Sequence, residues 1–218
     1  MEKKKLEEIK DLLIVVDMVN GFVREGALAD PYIATIIPEI KELIELNRER
    51  GGALAFINEA HTENAAEFKT FPRHCVKGTI EAEVIDELQP EFREADLVYG
   101  KNSTAGIFAI QRDIEAMQQL REVIITGCCT DICDLNLAIP LKNLLNEYDR
   151  DVRVVVPRNA VETFQINIEH NNPDGTPIIV NGEPFVEVIH PRDEYNEMAF
   201  KLLDQAGVET PKQYIKER

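Results

Sequence analysis

The sequence predicts a three-layer α/β/α fold with a mostly parallel, Rossmann-like central sheet. Three observations predict it. Apolar runs such as Leu12–Val16 and Ala53–Ile57 lack polar alternation, so they read as strands covered on both faces. Helical patterns separate these runs, as parallel strands joined by crossover helices require. The 218 residues suffice for one substantial core, so one domain is expected over 1–218.

The elements follow in order. Leu12–Val16 is the first strand. Pro31–Arg50 carries Ile33, Ile36, Ile37, Ile40, Leu43, Ile44 and Leu46 at helical spacing; Asp30-Pro31 enters it and Gly51-Gly52 stops it. Ala53–Ile57 is the second strand. Ile80–Leu88 reads as a helix ended by Pro90, and Asp96–Tyr99 as a short strand. Ile107–Leu120 is helical, Val123–Ile125 is a strand, and Leu135–Tyr148 is a helix in which Pro140 marks a kink. Val152–Val156 is a further strand. Glu194–Gln205 is an amphipathic helix capped by Asp193 and stopped by Gly207. One segment, about 171–191, breaks the alternation. Ile178–Glu183 and Phe185–Ile189 read as a β-hairpin insertion around Asn181-Gly182, a packing decoration or oligomer contact in preference to a lid.

Composition narrows the function. A formal net charge of -16 argues against nucleic acid and against an anionic membrane surface. No apolar run is long enough to span a bilayer. The basic start, Met1 to Lys5, is followed by Glu7, Glu8, Lys10 and Asp11, which interrupt the apolar part of an export signal, so a cytoplasmic location is expected. Four cysteines, Cys75, Cys128, Cys129 and Cys133, do not suggest a disulfide framework. A zinc site made of Cys128, Cys129 and Cys133 lacks a recognised paired spacing.

In parallel α/β folds ligands bind beyond the carboxyl ends of the strands. Asp17 follows the first strand, either as a turn cap or as a carboxylate with a partner to find. Glu59, His61, Glu67 and His74 follow the second; these residue types suit a divalent ion such as Zn²⁺, or equally a polar loop. Lys101 follows the third, either solvated or as an electrostatic anchor. Cys133 lies where a helix begins after Val123–Ile125, and it either packs or reacts. A helix N-terminus favours an anion and lowers a thiol pKa, the setting a nucleophilic thiolate needs, but this segment alone favours packing. Asp17, Lys101 and Cys133 thus follow three different strands at one sheet edge.

Four ordered blocks carry a resemblance. They are Val16-Asp17-Met18-Val19-Asn20-Gly21-Phe22; Glu59-Ala60-His61 through Glu67 to Phe71-Pro72-Arg73-His74-Cys75 and Thr79; Lys101-Asn102-Ser103-Thr104; and Gly127-Cys128-Cys129-Thr130-Asp131-Ile132-Cys133. From about Leu12 to Gly207 the chain resembles the isochorismatase-like cysteine hydrolases, and among them the nicotinamidases. The resemblance implies the isochorismatase-like hydrolase fold and a catalytic triad of Asp17, Lys101 and Cys133. It implies a cis peptide between Cys128 and Cys129 that aims N–H groups at a substrate carbonyl oxygen, and Phe22 in the substrate pocket. It also implies a metal site at Glu59, His61 and His74, with Glu67 where some members have a further ligand. Zn²⁺ is the expected ion, with Fe²⁺ and Mn²⁺ as further candidates.

Two departures stand out. Glu59 occupies a position where the family usually has Asp, and Asp134 one where it has a small apolar residue. The expected reaction is hydrolysis of nicotinamide to nicotinate and ammonia through a thioester on Cys133, in a homo-oligomeric enzyme acting on a small amide. The rivals are hydrolysis of a carbamoyl or ureido compound, an isochorismatase proper (which needs no cysteine), and a non-catalytic binding protein of the same fold.

Overall fold

Leu12 to Val16 are all buried, as a strand sandwiched between two layers must be. Their side chains alternate: Leu12, Ile14 and Val16 enter one hydrophobic cluster, Leu13 and Val15 the other. This computed structural model describes residues 4–214. Met1–Lys3 of the basic start, and residues 215–218 of the expected 1–218 span, lie outside the described residues.

Strands β1 (Asp11–Val16), β2 (Ala53–Glu59), β3 (Leu97–Lys101), β4 (Glu122–Cys128) and β5 (Arg153–Val155) form a parallel sheet in the order β3-β2-β1-β4-β5. A short β6 (Val161–Glu162) also pairs with β4. The four-residue α1 (Asn20–Val23) follows β1. One sheet face packs on α2 (Ile37–Glu49) through Ile37, Ile40, Leu43 and Ile44. The opposite face packs on α4, α5 and α6, whose ranges follow: α3 is Gln89–Arg93, α4 is Ile107–Ala116, α5 is Leu135–Glu147 and α6 is Arg192–Gln205. No helix among the described residues is long and apolar enough to cross a membrane.

Several boundaries differ from expectation. The predicted helix Pro31–Arg50 is a 3-10 segment, Pro31–Ile36, followed by α2; the Asp30 carboxylate accepts from the Tyr32 N–H at its start. The predicted helix Ile80–Leu88 is absent. In its place stand two 3-10 turns, Ile80–Ala82 and Asp86–Leu88, and then α3, with Pro90 in its first turn. Proline lacks the N–H that a first turn leaves unpaired, so Pro90 starts a helix where it was expected to end one. The predicted helix to Leu120 ends at Ala116. Helix α5 contains Pro140, and a π-type turn, Thr130–Asp134, precedes it. Pro191, not Asp193, occupies the N-cap of α6, and Gly207 ends it at φ 79°.

The insertion is larger than expected. The tip strands β8 (Ile179–Val180) and β9 (Glu183–Pro184) do form a hairpin, with Asn181 and Gly182 both at positive φ. However, β10 (Val186–His190) pairs antiparallel with an unpredicted β7 (Ile166–Glu169). The ribbon therefore spans 166–190, not 171–191.

Candidate active site

The strand ends bring the sequence candidates together. Asp17 sits just past β1 in the left-handed region, φ 51°, a conformation that non-glycine residues rarely adopt outside sites that need it. Beside it β4 approaches β1 so closely that a Cβ on Gly127 would lie 2.0 Å from the Val16 carbonyl oxygen. Only glycine lets the turn after β4 pass next to Asp17. The Cys128–Cys129 peptide bond in that turn is cis.

Lys101, at the end of β3, is the hub. Its Nζ lies 2.7 Å from Asp17 Oδ2, 2.8 Å from Glu59 Oε1 and 3.6 Å from Cys133 Sγ. Asp17 Oδ1 accepts from the Glu59 N–H at 2.7 Å, and the Cys133 thiol lies 3.8 Å from Glu59 Oε1 and within 4.8 Å of an Asp17 carboxylate oxygen. All four side chains are buried. Burial raises Asp17 to about 6, with Glu59 adding to the rise and Lys101 opposing it. The Lys101 ammonium is held well above its usual range: burial works against the charge, and Asp17, Cys133 and Glu59 outweigh it.

The thiol departs from expectation. Burial pushes Cys133 well above the ordinary thiol range, and Lys101 only partly opposes this. The helix start was expected to lower it. Desolvation and the carboxylates of Asp17 and Glu59 raise it against that pull.

A second cluster adjoins the first through Glu59. Its Oε2 lies 3.0 Å from His61 Nε2 and 2.8 Å from His74 Nε2, and these two nitrogens are 3.2 Å apart. His74 Nδ1 lies 2.7 Å from the Pro72 carbonyl oxygen, and His61 Nδ1 is 3.3 Å from Asn102 Oδ1. Both acceptors hold the ring proton on Nδ1, which leaves the Nε2 lone pairs facing each other and the carboxylate. Two facing lone pairs at that distance need a proton or a cation between them. Glu59, His61 and His74 thus present one donor atom each within 4.8 Å, a set that fits a divalent ion. Glu67 stands at the margin: its Oε2 is 3.6 Å from His61 Nε2, buried and without a hydrogen-bond partner, while Oε1 accepts from the Thr104 N–H. Burial raises the Glu59 pKa, but the adjoining His61, His74 and Lys101 outweigh it and hold the carboxyl well below its usual range.

A pocket opens onto both clusters. Phe22, Phe71, Ile132 and Phe164 form apolar walls, and Glu59, His74, Cys129 and Cys133 face the same space. Phe22 was expected there. Phe164 carried no sequence signal, and Phe71 signalled only as part of the Phe-Pro-Arg-His block. Asn102, which fixes His61, was also missed, although it directly follows Lys101.

Residues 11–172 match the isochorismatase domain model. The chain belongs to the isochorismatase family. It is 28% identical over 170 residues to an uncharacterized isochorismatase family protein, PncA, of Bacillus subtilis (strain 168), a match covering 72% of this chain and 88% of the relative. The fold is also that of a pyrazinamidase of Pyrococcus horikoshii in complex with zinc, at TM-score 0.67 and 24% identity, over 94% of this chain and 99% of the other. An N-carbamoylsarcosine amidase from Thermoplasma acidophilum has TM-score 0.66 and 24% identity, over 96% and 100%.

Proposed function

We propose that this family member is a cysteine amidohydrolase that converts nicotinamide and water to nicotinate and ammonia. The observation that carries the reading is the position of Lys101 Nζ between Asp17 and Cys133, with Cys133 facing a pocket that the histidine cluster also faces. Asp17 takes the thiol proton as Sγ attacks the amide carbon, so no free thiolate has to persist in a buried site. Lys101 keeps Asp17 ionised and placed. The N–H groups of Cys129 and Cys133 receive the developing oxyanion. Asp17 gives the proton to the departing ammonia, leaving a thioester on Cys133. Water then hydrolyses the thioester, which releases nicotinate and restores the thiol.

Glu59, His61 and His74 would hold a divalent ion, Zn²⁺ first, with Glu67 within reach as a further ligand; when bound it supplies a Lewis-acid contact for the pyridine nitrogen. The zinc of the Pyrococcus relative supports this reading. Phe22, Phe71 and Phe164 give the ring an apolar slot.

Ammonia release from nicotinamide by purified, zinc-supplied protein tests the proposal. Cys133→Ala should lower turnover by about 10⁴-fold or more while the circular dichroism spectrum stays native. Activity on carbamoyl or ureido compounds with none on nicotinamide would keep the nucleophile and overturn the substrate. An active Cys133→Ala enzyme would overturn the mechanism.

A further inference from the structure

The ribbon of β7 and β10 with its β8–β9 tip behaves unlike the rest of the surface. Of the sixteen large apolar side chains exposed among the described residues, nine lie between Ile166 and Ile189. The other seven are scattered, which is normal for a soluble surface. Every residue from Gln165 to Ile189 except the half-buried His170 is exposed.

The exposure is two-sided. Cross-strand partners share a face, so the pairing of Ile168 with Glu187 puts Ile166 and Ile168 on one side. The pairing of Val188 with Asn167 puts Val186 and Val188 on the other. A two-stranded ribbon alone in water is marginal at best, and this one packs neither face on its own domain. Its root, by contrast, is fixed. His190 places Nε2 3.0 Å from Asp131 Oδ2 and Nδ1 2.9 Å from the Phe164 carbonyl oxygen, and its ring stacks on Phe164. The Asp30 carboxylate accepts from the Gln165 N–H and pairs with Arg192. A fixed root with an uncovered blade is built to reach outward.

We propose that this ribbon is the arm by which a second copy of the chain docks. The area matches. Nine side chains at 36–55% exposure amount to roughly 700 Å², against about 800 Å² per partner in a standard interface. Two-sided exposure suits an exchange of arms across a two-fold axis, in which each copy embraces the blade of the other. Charge argues against a membrane as the occupant. From Asn159 to Pro191 there is no Lys or Arg, while Glu162, Glu169, Asp174, Glu183 and Glu187 are all acidic, so an anionic lipid surface would repel the arm.

Sedimentation equilibrium of the purified full chain tests this directly. The wild type should sediment at twice the monomer mass or a multiple of it. A double variant, Ile168→Thr with Val188→Thr, keeps β-branched residues on both strands and removes apolar groups from both faces. It should raise the dissociation constant by at least roughly thirty-fold. A monomeric wild type would overturn the proposal and leave the arm to a different protein or to its own pocket. So would an assembly that the double variant leaves unchanged. The wild-type measurement needs no variant, so a folding defect cannot obscure the result.

Discussion

The two ends of the central sheet both gather charge, and they treat it in opposite ways. At the amino ends of β1, β4 and β5, Asp11, Glu122 and Glu209 face Arg50, Arg121 and Arg153, three acids against three guanidinium groups. Asp11 and Glu122 lie side by side in register, and Tyr214 donates its hydroxyl to Glu122 at 2.7 Å. At the carboxyl ends, Asp17 and Glu59 contact one ammonium, Lys101, while Glu67 adjoins His61 and Asp134 is buried nearby. Both oxygens of the fully buried Asp134 lack a hydrogen-bond partner. Among the described residues the first end sets three acids against three guanidinium groups and reaches solvent through Arg121, so it holds the strands together. The second gathers buried carboxyl groups around one ammonium, an arrangement that costs free energy unless protons or a cation join it. The same sheet thus has one end that closes and one end that receives.

That contrast can be broken by removing one cation from each end. Lys101→Met removes the ammonium from Asp17 Oδ2 and Glu59 Oε1 and should destabilise the protein by about 3–5 kcal/mol. Arg153→Met, at a partly exposed end with two other arginines, should cost about 1 kcal/mol or less. Urea unfolding of the two variants measures the difference, and equal losses would erase the distinction between the ends. Next in size is the response to zinc. Protein freed of metal should gain about 2.7 kcal/mol when zinc is supplied at a hundred times its dissociation constant, and His74→Ala should abolish the gain. An unchanged wild-type melting curve would remove the metal from the receiving end.

A smaller effect has the opposite sign. Burial above all, and then Asp17, raise the Asp134 pKa well above the carboxylate range, with Lys101 opposing. Asp134→Val should therefore stabilise the fold by about 1–3 kcal/mol, because it removes two unpaired polar atoms and supplies an apolar side chain. A lower melting temperature would mean that Asp134 has a partner in solution. The smallest effect belongs to the closed end. Burial and the bond to Glu122 raise the Tyr214 hydroxyl to about 12. The folded state then holds its proton longer than the unfolded state does. The associated stability is present below about pH 10 and is lost as pH rises through 12. Between those values the wild type should lose about 1 kcal/mol or less, after solvent screening, relative to Tyr214→Phe. Parallel melts across that window would detect it.

The closed end was invisible in the sequence, while much of the receiving end was legible. Asp17, Glu59 and Lys101 follow apolar strands, and their order along the chain maps onto the sheet edge because parallel strands all end on the same side. The arginines that pair with Asp11 and Glu122 are the residue after α2, the residue before β4 and the first residue of β5, and no local pattern links them. The segment 80–93 misled because Pro90 can end one helix or open the next, and local spacing does not separate the two. β7 was missed because Ile166–Glu169 is only four residues long and its pairing with β10 is nonlocal. The upward pull on the Cys133 thiol was hidden for a related reason. Helix position is readable in sequence, but the buried carboxylates that oppose it come from β1 and β2.

Glu59 gives one carboxylate two clients. Oε1 serves Lys101 beside the thiol, and Oε2 serves the two histidines. In evolutionary terms the position is pleiotropic. Under the proposed function, a substitution here would alter the grip on the ion and the setting of the nucleophile in a single event. Glu59→Asp, shorter by one methylene, forces the backbone to shift or one client to be given up. Selection for a different ion would have to act through His61, His74 or Glu67, leaving residue 59 as the fixed hinge between two otherwise separable traits.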